Sequence, residues 1–267
     1  MNNELSFSVD IGMFKSEIIV PFVKLGVKDD IISLICKKDE IVIAERDITN
    51  VLIIECDMNQ NLVENYENEL EDDEQIEISV DAKKLDDSLT NLSGKGKFVL
   101  DYKKQKLNIS SGIYSYGIGL KARQKRDKVF PNLEYENDLD IKGTDFFTPI
   151  DKCAKINKFV GLTLKRDLLD EKSFVFKISA SENDTNDVIN VELSSKFDMI
   201  NNNIKNECSV FVDVVGTDFL EVLKETVKKV SSVKLFLKDE YPIMLQYNIK
   251  ENKGKVKIAL APRIPDQ

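Results

Sequence analysis

One order of elements recurs four times along the chain, and it constrains the fold more than any single motif. The first copy, Glu4 to Asp57, opens on the alternating ELSFSVD, with Leu5, Phe7 and Val9 on one face. A helical stretch from about Met13 to Leu25 follows, shortened or kinked by Pro21. Strands DIISLICKK, EIVIAE and NVLIIECD then complete the copy. The second copy, Glu74 to Leu120, runs EQIEISVDA, then KKLDDSLTNL with Leu85, Leu89 and Leu92 at helical spacing, then Gly94 and Gly96 as the helix end. KFVLDY, KLNISS and IYSYGIGL are its strands.

The third copy begins at NDLDIKG and continues through the helical TDFFTPIDKCAKINK, which Thr144 is placed to cap. FVGLTLK, SFVFKISAS and DVINVELSS follow. The fourth, from Glu207, is CSVFVDVV, then the amphipathic TDFLEVLKETVKKV, then SVKLFLKD, IMLQYNI and KVKIALAP. A unit of about 50 to 65 residues with one short helix cannot bury a sheet alone. Copies therefore pair, which gives an α+β chain with antiparallel sheets and all helices on one face. The expected division is an N-terminal domain over 1–120, a connector over 121–135 and a C-terminal domain over 136–267. The acidic stretch Glu64 to Asp73 reads as a solvated excursion between copies.

Composition removes several classes of function. With 42% hydrophobic and 32% charged residues, and no apolar run near the ~18 residues of a membrane span, the chain reads as soluble and intracellular. The opening MNNELSF is too polar for a secretory leader. Cys36, Cys56, Cys153 and Cys208 are scattered without metal-ligand spacing and read as buried, reduced thiols. No histidine is present, which removes the commonest general base and weighs against an enzyme. No cofactor or metal is implied; Gly94-Lys95-Gly96-Lys97 lacks the spacing of a phosphate loop. The net charge of −9 disfavours nucleic acid as a partner unless cations concentrate on one face.

Between the paired copies lies LKARQKRDKVFPNLEY, Leu120 to Tyr135. It carries Lys121, Arg123, Lys125, Arg126 and Lys128, then turns apolar at Val129, Phe130 and Pro131, and reads as an extended connector.

The C-terminal EYPIMLQYNIKENKGKVKIALAPRIPD resembles the end of the proliferating cell nuclear antigen (PCNA) family of DNA sliding clamps. The resemblance rests on the acidic-aromatic-Pro entry into a strand, the Gly before the last strand, and the closing Leu260, Ala261, Pro262, Arg263 and Ile264. The preceding TDFLEVLKETVKKVSSVKLFL and the connector's Pro-acidic-Tyr ending match as well. The resemblance implies the DNA clamp fold and a homotrimeric ring around duplex DNA. Such a processivity factor has no catalytic residues; it tethers DNA polymerase and other replication and repair enzymes, and is placed on DNA by a clamp loader. The alternative, from the mixed charge of the helices, is a clamp-fold interaction scaffold that does not encircle DNA.

Three sites follow from the resemblance. The DNA-facing set, without sequence preference, is Lys15, Lys83, Lys84, Lys152, Lys155, Lys158, Lys224, Lys228 and Lys229, with Asp86, Asp87 and Asp151 departing from a basic lining. A groove for short client peptides of the PIP-box kind, with aromatic and aliphatic anchors, takes Ala44, Arg46, Val129, Phe130, Pro131, Pro242, Ala259, Ala261, Pro262 and Ile264. Arg46 stands where the family usually has an apolar residue, and the connector is more basic than usual. The subunit interface pairs the strand around Ile113, Tyr114 and Tyr116 with a neighbour's strand around Phe174, Phe176 and Ile178.

Overall fold

The computed structural model describes residues 5–59, 61–122, 130–170, 173–181, 188–195, 198–249 and 253–263. The chain divides into two compact units: 1–48, 53–131 and 248–256 form the first, and 49–52, 132–247 and 257–267 the second.

In the first unit β1 (Leu5–Asp10) leads into α1, which runs through three consecutive pieces, Ile11–Met13, a π-helical turn over Phe14–Ile19, and Val20–Lys24. Asp10 caps it, its carboxylate accepting from the Met13 N–H at 2.8 Å. The π turn answers Pro21. A proline ring would press on the carbonyl four residues back, and the wider turn, in which the Val20 N–H donates to the Lys15 carbonyl, relieves that crowding without breaking the helix. Then come β2 (Ile31–Lys37), β3 (Glu40–Arg46), β4 (Leu52–Asn59), β5 (Glu64–Glu67) and β6 (Gln75–Asp81). After α2 (Ala82–Thr90), capped by Asp81, the unit adds β7 (Lys95–Asp101), β8 (Lys106–Ser111) and β9 (Tyr114–Gly119).

Strand order is β5-β1-β7-β8-β9 in one sheet and β4-β3-β2-β6 in the other, with antiparallel pairing. Phe7 stacks on Phe98 at 4.7 Å, and Phe14 of α1 meets Phe98 edge-on at 5.2 Å, so the helix is anchored to this sheet by aromatic packing. Part of the acidic stretch is not a free excursion. Glu64–Glu67 forms an edge strand on β1, and the Ser6 hydroxyl donates to the Glu67 carboxylate at 3.1 Å.

The second unit repeats the order with β10 (Asn137–Ile141), α3 (Gly143–Cys153), β11 (Phe159–Arg166), β12 (Phe174–Ser181), β13 (Val188–Ser194) and β14 (Met199–Asn203). The chain continues with β15 (Cys208–Asp213), α4 (Phe219–Glu225), β16 (Val233–Leu237), β17 (Ile243–Ile249) and β18 (Gly254–Leu260), of which 248–256 count with the first unit. The sheets of this half run β13-β12-β11-β15 and β14-β10-β16-β17-β18. α3 starts one residue before Thr144, which does not cap it; the capping position is Lys142 and the Thr144 hydroxyl turns to Asp145 instead. α4 is shorter than its pattern suggests. At Thr226 the backbone leaves helical space (φ −117°, ψ −87°), and a 3-10 turn over Val227–Lys229 takes the remaining residues.

α3 meets the 3-10 turn after α4 backbone to backbone. A Cβ at Gly143 would collide with the Val227 carbonyl oxygen and lie 2.6 Å from that of Val230, so only glycine permits the approach.

Candidate functional site

On α1 and α2 the lysines are unequal. Lys15, half-buried, crosses from α1 to α2, where its ammonium donates to the Thr90 hydroxyl and lies 3.4 Å from the Asp86 carboxylate. Lys83 and Lys84 are exposed on α2, and Asp87 is exposed beside them. The apolar stripe of α2, Ala82, Leu85 and Leu89, is buried, so periodicity alone sends these lysines outward.

On α3 and α4 most cations face solvent with a carboxylate one turn away. Lys155 pairs with Asp151 at 3.0 Å, Lys229 with Glu225 at 2.6 Å, and Lys224 lies 3.9 Å from Glu221. Such exposed i,i+3 and i,i+4 pairs contribute only about 0.3–0.5 kcal/mol each. Lys228 sits over the Phe147 ring at 5.1 Å and Lys158 over Phe159 at 4.9 Å, aromatic faces that hold a cation without neutralising it. Lys152 is exposed on the last turn of α3.

The groove residues divide between the units. In the first, Ala44 and Arg46 share the face of β3 opposite Ile41, Ile43 and Glu45; Ala44 is buried and Arg46 half-buried. Phe130 is buried and Pro131 exposed, while Val129 lies outside the described residues. In the second, the Pro242 carbonyl accepts a 2.9 Å hydrogen bond from the Tyr135 hydroxyl. Burial pushes that phenol's pKa up, so it remains a donor. Ala259 is buried on β18, and the Ala261 N–H donates to the Val51 carbonyl at 2.9 Å. Pro262 is half-buried; Ile264 lies outside the described residues. Arg263 has its N–H on the Phe211 carbonyl at 2.7 Å and its guanidinium 3.6 Å over the Phe159 ring, which ties the C-terminal segment to the outer edge of β15.

The interface assignment needs one correction. β12 is paired on both sides, with β11 and with β13, and Phe176 and Ile178 are wholly buried, with Phe174 nearly so. A strand whose ladder is complete has no hydrogen-bonding groups left for a neighbour. The strand that ends this sheet is β13, where Ile189, Val191 and Leu193 are half-buried on the side of Ile178 and Phe176. In the other unit β9 ends its sheet, with Ile113 at 92% and Tyr114 at 56% exposure and Tyr116 half-buried. The signal that separates β12 from β13 was available. FVFKISAS alternates cleanly between large apolar and small or polar residues, whereas VINVELS is flanked on both sides by polar runs.

Among the described residues no group of carboxylates and thiols could hold a metal ion, and no helix is long and apolar enough to cross a membrane.

No family model matches the chain. Among curated proteins it is similar to the DNA polymerase sliding clamp of Natronomonas pharaonis, 26% identical over 266 residues, 94% of this chain and 99% of that protein. The sliding clamp of Haloarcula marismortui is 27% identical over 197 residues (71% and 74%), and that of Methanococcus maripaludis 24% over 226 (82% and 84%). Of solved structures, A. fulgidus PCNA bound to the C-terminal region of FEN-1 superposes with a TM-score of 0.81 at 20% identity, covering 98% of this chain and all of that one. The PCNA2–PCNA3 complex of Sulfolobus tokodaii gives 0.76 at 17% identity, covering 97% and 99%. The chain thus shares the fold of PCNA structures and is similar over nearly its whole length to a protein named DNA polymerase sliding clamp.

Proposed function

We propose that the protein is a sliding clamp: copies close into a homotrimeric ring around duplex DNA and tether DNA polymerase and other replication and repair enzymes to it. The observation that carries this reading is full-length kinship with proteins named DNA polymerase sliding clamps. The two sheet edges agree with it. β9 and β13 each present a half-covered apolar row, Tyr114 and Tyr116 on one and Ile189, Val191 and Leu193 on the other. Joining β9 of one copy to β13 of the next would extend both sheets and bury both rows, and repetition of that head-to-tail contact closes a ring. The work is positional, so no catalytic group is required; the chain spans 1–120 and 136–267 as two clamp domains joined by 121–135.

The lysines of α1 to α4 would face the phosphates. Point-charge ammonium groups suit a contact that must slide. Lys228 and Lys158, held by rings rather than carboxylates, and the unpaired-by-carboxylate Lys83, Lys84 and Lys152 among the described residues are the cations most available to phosphate; Lys15, Lys155, Lys224 and Lys229 must first leave an acid. That pairing is what favours the second reading, an interaction scaffold that stays off DNA.

The test is stimulation of a cognate-type archaeal polymerase and loader on primed circular DNA. A clamp stimulates synthesis on the circle and slides off when the circle is linearised. Equal stimulation on both, or none on either with the trimer intact by light scattering, would reject encirclement.

A further inference from the structure

We propose that the β5-β1-β7-β8-β9 sheet carries, on the face turned away from α1, an oxyanion site that is centred on Lys97 and takes a phosphate group. The site lies within the first unit and shares no residue with the client groove. In the register one row crosses the sheet: Glu64 of β5, Ser8 of β1, Lys97 of β7, Ser110 of β8 and Ser115 of β9. Side chains alternate along β7, so Lys97 points away from Phe98, which packs against Phe14 of α1. Because the residues on either side of the lysine are only serines, the face is dented by a shallow cavity of about 410 Å³.

Four polar side chains on this cavity are unspent. Ser8 is only 6% exposed, yet its hydroxyl has no hydrogen-bond partner among the described residues. The half-buried Ser110 hydroxyl, the exposed Lys97 ammonium and the exposed Asn65 amide have none there either. Their neighbours differ. Lys95 is held by Glu64, the one acid of the row, and the Ser111 hydroxyl donates to the Ser93 carbonyl. Asn65 reaches the cavity through a bulge. Ser6 faces Glu67 and Ser8 faces Glu64, so β5 holds one residue more than β1 over that span, and Asn65 takes a left-handed φ of 50°. Strict alternation would turn Asn65 to the face opposite Glu64; the bulge lets both face outward.

All four groups can donate, and one is a fixed positive charge, so the matching ligand is an anion rich in acceptors. A phosphate monoester offers three terminal oxygens and about 1.5 to 2 negative charges. A carboxylate fits less well, because no guanidinium fork borders the cavity to meet its plane; lysine acts as a point charge. Ser8 gains most from such an acceptor, since water reaches so deep a hydroxyl poorly. Ser8 and Ser110 stand two strand spacings apart, about 9–10 Å, too far for one phosphate to touch both. A phosphate on Lys97 and Ser8 therefore leaves Ser110 for whatever carries it.

The experiment titrates the intact protein into three probes: inorganic phosphate, the peptide Gly-Gly-Ser-Gly-Gly phosphorylated on its serine, and the same peptide with Glu in place of the phosphoserine. Line broadening in phosphorus and proton NMR gives the affinities. The phosphorylated peptide should bind about tenfold more tightly than the Glu peptide. Lys97→Met should weaken it about tenfold and Ser8→Ala about threefold, whereas Lys104→Met, which removes a cation outside the cavity, should change nothing. Without ligand, Lys97→Met and Ser8→Ala should melt with the wild type, because each removes a group that has no partner in the fold. If inorganic phosphate binds as tightly as the phosphorylated peptide and is weakened equally by Lys97→Met, the site stands and its ligand is the free ion; tighter binding of the peptide makes the ligand a carried phosphate. Equal affinity for the Glu peptide, no binding of either phosphate probe, or binding that Lys97→Met and Ser8→Ala leave unchanged would overturn the proposal.

Discussion

The two helix pairs solve one packing problem in opposite ways. α3 touches the 3-10 turn after α4 through backbone, Gly143 against the carbonyls of Val227 and Val230, and lysines at their C-terminal ends have acidic partners one turn away. α1 and α2 are bridged by a side chain, Lys15 reaching Thr90 and Asp86, both ion-pair partners 25% exposed. Close backbone approach leaves the cations to pair locally, one turn away. A polar bridge occupies one of them.

The comparison can be broken most sharply at its glycines. Gly143→Ala should cost about 3 kcal/mol, because neither carbonyl it meets can turn away without unwinding the turn after α4. Gly12→Ala on α1, where the new Cβ would meet only Asp10 Oδ1 at an ordinary 3.5 Å, should be neutral or stabilise by up to about 1 kcal/mol. Thermal melts of both variants decide it; equal shifts would remove the distinction.

The next largest effect falls on DNA. The double reversal Lys155→Glu with Lys228→Glu should weaken clamp-dependent synthesis on circular templates by roughly tenfold or more at moderate salt, since two phosphate contacts become repulsive. An unchanged rate would take α3 and α4 off the DNA-facing side.

Smaller shifts then test the bridge. Asp86→Asn should release Lys15 and tighten DNA binding about two- to threefold, whereas Asp151→Asn, which frees a lysine already exposed, should give less. Affinity measured on short duplexes at two salt concentrations separates them. If Asp151→Asn has the greater effect, the bridge is not what holds Lys15 back.

The least effect is expected from thiol reagents. Burial pushes the Cys36 thiol up to about 12 and that of Cys56 higher still, and it raises Cys153 and Cys208 as well. At pH 8 all four should stay protonated in the native chain and react only as each half opens. Alkylation rates followed by mass spectrometry would then report which helix pair loosens first, and fast labelling of Cys36 in the native protein would contradict its burial.

Much of the architecture was legible because alternation and helical spacing are local signals. The β-α-β-β-β order holds in every copy, and even Pro21 announced a disturbed helix, though not that a π turn would absorb it. β5 escaped because ENYE has no apolar face; its place is set by β1's open edge and by Ser6 meeting Glu67. α4 ended early because the backbone leaves helical space at Thr226, and the turn that follows packs on Gly143 about eighty residues away, which a helical stripe does not show. The site was legible only by type. Lysines on outward helix faces could be named from periodicity, but which of them already hold an acid depends on rotamers and on a neighbouring helix. The edge position of β13 showed only in the polar runs that flank VINVELS, a weaker signal than the alternation of β12.

β9 contains no charged side chain, and it has glycine at two of its positions, Gly117 and Gly119. Soluble proteins usually guard such a margin with lysine or proline. This one is left bare, so a lone chain carries a sticky seam for as long as it is alone. Dilution should therefore cost the protein more than assembly: below the concentration at which copies find each other, it should begin to adhere to surfaces and to misfolded chains. In a cell, the rate of synthesis would set a floor under the amount of usable protein.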